Sequence, residues 1–115
     1  MLTESEIQQY RDEGYLVFER LIDGERLRRY QNLFDELVAR SRTRKPGGGW
    51  TYELDEQGEV RPECLLHKIQ GVCLVEPRVL DLAREPPIVS RVASLIGPKF
   101  DVLGTKFFPL LPQGG

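Results

Sequence analysis

Histidine is nearly missing from this chain of 115 residues, with His67 the only one, and that scarcity excludes any metal site built on a pair of histidines within one copy. Cysteine is also sparse. Cys64 and Cys73 stand without an export signal, so they read as reduced small hydrophobes and not as a disulfide framework. No apolar run approaches the roughly 18 to 20 residues that a membrane span needs, and the start lacks the basic, apolar and small-residue regions of a secretion signal. A cytoplasmic protein with no membrane partner is the expectation. A net charge of −2 with 30% charged residues describes a solvated surface and provides no positive field for nucleic acid, so no nucleic-acid partner is expected.

What is present begins with a punctuated helix, strand, helix unit over residues 1–40. Thr3 and Glu6 have capping-box spacing, with Leu2 and Ile7 placed around them as a hydrophobic staple. Gly14 ends the helix, and Tyr15-Leu16-Val17-Phe18 follows as a short β-rich run. Asp23 opens a second helix, in which Leu27, Tyr30, Leu33, Phe34, Leu37 and Val38 form one apolar face. That face requires a packing partner.

Residues 41–62 read as a flexible loop and hairpin. Arg40, Arg42, Arg44 and Lys45 lead through Pro46 into Gly47, Gly48 and Gly49, a linker composition without the lysine and hydroxyl residue of a phosphate-binding loop. Trp50 to Leu54 and Val60 to Val75 are expected to be extended around a turn at Asp55-Glu56-Gln57-Gly58. Within residues 63–115, Pro77 suits the first turn of a short helix, and Pro86-Pro87 start another that Gly97-Pro98 stop with a left-handed cap. From Phe100 through Phe108 the residue types again fit a strand. The class is α+β, and the begun sheet is incomplete.

Little chemistry is legible. Cys64, His67 and Cys73 have a loose metal-like spacing, but zinc takes four ligands and no fourth lies near. Alternation along a strand puts Leu65, His67 and Ile69 on one face and Leu66, Lys68 and Gln70 on the other. Lys68 is then either a solvated lysine or, facing a cavity, an ammonium ready for a carboxylate. Gln70 lines the same wall.

Several phrases, taken in order, resemble the beginning of the phytanoyl-CoA dioxygenase-like family across residues 1–115. They are Leu2-Thr3 at a helix start, Tyr10 to Gly14 before Tyr15-Leu16-Val17, Leu21-Ile22-Asp23, His67-Lys68-Ile69, Ile96-Gly97-Pro98, and Gly104 to Phe108 leading to Leu111-Pro112-Gln113-Gly114-Gly115. The resemblance implies a non-haem iron(II), 2-oxoglutarate-dependent oxygenase on a double-stranded β-helix, oxidising an unactivated C–H bond of a small-molecule substrate. It implies cosubstrate-binding roles for Lys68 and Lys106. The family's histidine-x-aspartate pair and later histidine are absent from these residues, so the chain is expected to be the N-terminal part of the domain, with no catalytic or metal residue of its own and inactive alone. Iron(II) and 2-oxoglutarate belong to the complete protein. Residues 41–62 are placed as a possible lid. A different class of reading makes the chain a non-catalytic remnant or small interaction module that pairs through an exposed sheet edge.

Overall fold

A computed structural model describes residues 1–59 and 65–109. In chain order the elements are α1 (Glu4–Glu13), α2 (Gly24–Ser41), β1 (Trp50–Tyr52), β2 (Leu66–Gln70), α3 (Val72–Val75), α4 (Val79–Ala83), α5 (Pro86–Ile96) and β3 (Lys106–Phe107). The strands form one antiparallel sheet in the order β1-β2-β3. The chain is thus a mixture of helices and a small antiparallel sheet. No helix among the described residues is long and apolar enough to cross a membrane.

The capping box forms as the spacing requires. The Thr3 hydroxyl accepts from the Glu6 N–H at 3.1 Å, and the Glu6 carboxylate accepts from the Thr3 N–H at 3.0 Å. Gly14 closes α1 in the left-handed region. The amphipathic face of α2 meets the sheet: Tyr30, Leu33 and Leu37 from the helix, Trp50 and Tyr52 from β1, Leu66 and Ile69 from β2, and Val72 and Val79 beyond it form one buried cluster. Leu27, one of the six expected face residues, is exposed, because it lies before the first turn of α2 that meets this cluster.

A ladder irregularity explains how residues of opposite parity on β2 share that core. Trp50 pairs with Ile69 and Thr51 with Lys68, but Tyr52 pairs with Leu66, so His67 is an extra residue in β2. This bulge turns Leu66 onto the face of Ile69. The expected strict alternation of Leu66 with Lys68 and Gln70 is corrected accordingly.

Four other expectations differ. Tyr15 to Phe18 form no strand: Tyr15 and Val17 stay exposed, and among the described residues no strand pairs with them. Extended propensity without a ladder partner does not make a sheet. Val72 to Val75 are helical, since Gly71 at φ 65° turns the chain out of β2 and starts α3. Only Lys106 and Phe107 of the 100–108 run are strand, and Leu103 is fully exposed. Gly97 has φ 94° but ψ 167°, not the left-handed cap, because Pro98 excludes helical ψ from the residue before it.

The glycine run is ordered. Gly47 and Trp50 exchange both backbone hydrogen bonds at 3.1 Å around Gly48 and Gly49, both with positive φ, as in a two-residue hairpin turn. Gly49 also accepts from the Gln70 N–H at 2.8 Å, and a Cβ there would collide with the Gln70 carbonyl oxygen. The Tyr52 hydroxyl donates to the Ser41 carbonyl at 2.6 Å and to that of Arg44 at 3.1 Å. These bonds tie residues 44–52 to α2 and the sheet. The expected strand residues Val60 to Cys64 and the phrase Leu111 to Gly115 lie outside the described residues.

Candidate functional site

The ladder register decides which side chains share a sheet face. Trp50, Tyr52, Leu66, Ile69 and Phe107 face α2, where the Phe107 ring lies 4.7 Å from that of Phe34. The alternate residues Thr51, Lys68, Gln70 and Lys106 therefore take the opposite face, with Thr51 across from Lys68 and Gln70 across from Lys106. Lys68 and Lys106 are diagonal neighbours, a relation that spaces positions about 7–8 Å apart in an antiparallel pair. The two lysines that the sequence singles out are brought together.

Neither lysine side chain has a hydrogen bond or ion pair among the described residues, and Lys68 is half-buried while Lys106 is exposed. Two ammonium groups at this spacing repel each other modestly and attract a divalent organic anion. Gln70 and Thr51 add neutral donors and acceptors on the same face. The arrangement can bind and orient carboxylates. It contains no general base or nucleophile of its own. His67, set at the bulge, is exposed, and its ring meets the Phe108 ring edge-on at 6.0 Å. Among the described residues no three His, Cys, Asp or Glu side chains gather as a potential metal site, so the donor set does not fit iron and no iron ligand is assigned here. Cys64 lies outside the described residues, and Cys73 is a free thiol whose backbone N–H donates to Thr105 Oγ1 at 3.1 Å.

Two polar clusters escaped the sequence reading. Glu85, nearly buried, accepts from the Tyr30 hydroxyl at 2.5 Å and from Arg26 at 3.1 Å, with Arg29 at 3.5 Å. Burial first, and then the bond to Glu85, push the Tyr30 phenol above its ordinary range. This cluster fastens the start of α5 to α2. Further along α2, Glu76 pairs with Arg78 at 2.9 Å and Arg40 at 3.1 Å, and Glu36 joins both arginines. The Arg78 guanidinium and backbone N–H hold the Glu76 carboxyl down at about 2. Both clusters cement elements far apart in sequence. Only the acid immediately before Pro86-Pro87 hinted at either, as a helix-start position.

No protein-family model, curated protein or solved structure matches this chain.

Proposed function

We propose that this chain is the N-terminal part of an iron(II)- and 2-oxoglutarate-dependent oxygenase of the phytanoyl-CoA dioxygenase-like type, providing the outer helices and first strands of a double-stranded β-helix. The observation that carries the reading is the register that sets Lys68 and Lys106 together on the sheet face turned from the core. Both ammonium groups lack an anionic partner among the described residues, and they match the carboxylates of 2-oxoglutarate. When bound, iron and 2-oxoglutarate supply the oxidising power for attack on an unactivated C–H bond of a small molecule. The share of this chain is to hold the cosubstrate, orient it through Gln70, and wall off water. The open shape supports the reading: the radius of gyration is 17.4 Å, against about 13 Å for a compact chain of this length. Free Cys73 accords with a cytoplasmic setting.

The test is the coding sequence beyond the Gly115 codon. An in-frame continuation into a histidine-x-aspartate motif is expected, and in the polypeptide so encoded Lys68→Ala lowers 2-oxoglutarate turnover more than 10-fold. A stop codon at that point overturns the proposal. The protruding Leu74 and Leu103, and an edge of β3 with no partner strand among the described residues, favour a second reading, an interaction module that self-associates. Light scattering on the 115-residue chain distinguishes it, since a module gives one defined, cooperatively melting dimer.

A further inference from the structure

The basic, glycine-rich stretch before Trp50 holds no cosubstrate in the oxygenase reading, yet its turn is built and the Arg44 charge is unmatched among the described residues. We infer that the open cleft of about 710 Å³ beside this turn binds the carboxylate of an apolar organic acid. Its walls include Arg44, Trp50, Leu74, Val75, Leu103 and Thr105, and no aspartate or glutamate among the described residues lines it. The size is that of an ordinary small-molecule site.

Charge complementarity selects the head group. Arg44, like other exposed arginines such as Arg28 and Arg42, has no carboxylate partner among the described residues, and it is the arginine that lines this cleft. Its guanidinium is stacked 4.9 Å from the Trp50 ring centroid, which holds the planar fork in place before any ligand arrives. A single guanidinium matches a single carboxylate through two parallel hydrogen bonds. Trp50 is 2% exposed, and its Nε1–H is buried with no acceptor among the described residues, a rarity in folded proteins. Thr105 Oγ1 accepts from the Cys73 N–H, leaving its own hydrogen to donate.

The remaining wall selects the tail. Leu74 is 89% exposed and Leu103 is fully exposed, both in the cleft lining. Paired leucines left in water beside a cationic head-group site fit an aliphatic chain. The turn that carries Arg44 and Trp50 cannot shift freely, since at Gly49 only glycine avoids the Gln70 carbonyl. The cleft shares Gln70 with the Lys68 and Lys106 face, but Arg44, Leu74 and Leu103 are not on the strands of that face, and the inference does not rest on the oxygenase reading.

Trp50 is the sole tryptophan, so its emission reports the cleft directly. The 115-residue chain is titrated with sodium octanoate, and separately with 1-octanol and with inorganic phosphate. A saturable emission change with octanoate is expected, with octanol and phosphate at least 10-fold weaker. Arg44→Gln weakens octanoate at least 10-fold, Leu103→Ser weakens it several-fold, and Lys68→Ala leaves it unchanged. Arg44 and Leu103 are exposed, so both variants keep the fold, which far-UV circular dichroism verifies. No saturable response to octanoate, equal binding of octanol or phosphate, or unchanged affinity in Arg44→Gln overturns the inference.

Discussion

The sheet with α2 and the α1 to α5 flank are built from equally clear local signals, yet only the first buries its side chains. Among the described residues, every buried hydrophobic residue lies between Tyr30 and Val79. Neither α1 nor α5 buries one, although α1 has a complete capping box and α5 carries Ile88, Val89, Val92, Leu95 and Ile96. The flank is joined by sparse polar and ring contacts: the Leu2 N–H to Ser94 Oγ at 3.4 Å, and Arg91 over the Phe18 ring at 5.0 Å. Caps and prolines make a helix; a facing apolar surface makes a core. The difference locates what is self-sufficient in this chain and what awaits a partner.

The comparison is broken most forcefully from the core side. Trp50→Ala removes the largest fully buried side chain and is expected to cost about 3–5 kcal/mol, read as a lower denaturant midpoint. A loss under about 1 kcal/mol shows that the sheet core is not what holds the fold. Acid offers a milder probe. Glu76 is depressed from 4.5 to about 2, so its contribution is complete above pH 4.5 and is lost as pH falls through about 2. Arg78→Gln removes the chief cause of that depression, and the difference in melting temperature between the two proteins should narrow across this window. The smallest effect belongs to the flank. Ile96 is 61% exposed, so Ile96→Ser changes the stability of this chain by less than about 0.5 kcal/mol. If a longer reading frame covers α5, the same substitution becomes clearly destabilising there.

Legibility followed the range of the hydrogen bonds. The turn at Asp55 to Gly58 was readable because Asp55 accepts from the Gln57 and Glu59 N–H groups within its own segment. Gly14, Pro86 and Pro87 likewise act on their immediate neighbours. By contrast Tyr15 to Phe18 have strand composition and no ladder partner among the described residues, and nothing local records that difference. The glycines at 47–49 read as a linker because what orders them, the Gln70 N–H and carbonyl, is about twenty residues away. For the candidate site, alternation on β2 was enough to place Gln70 beside Lys68. The position of Lys106 needed the register of β3, and the bulge at His67 needed the pairing of β1.

By itself, then, the sequence determined the starts of α1, α2 and α5, the ends of α1 and α5, the apolar face of α2 and the solvated surface, all of which rest on bonds and periodicities spanning a few residues. Tertiary structure alone decided the rest: which extended segments became strands, how Glu85 and Glu76 found arginines on another helix, and that Arg44 lies over Trp50 with no acid beside it. A strand or an ion pair is completed by a group distant in the chain, and composition does not record which distant group arrives.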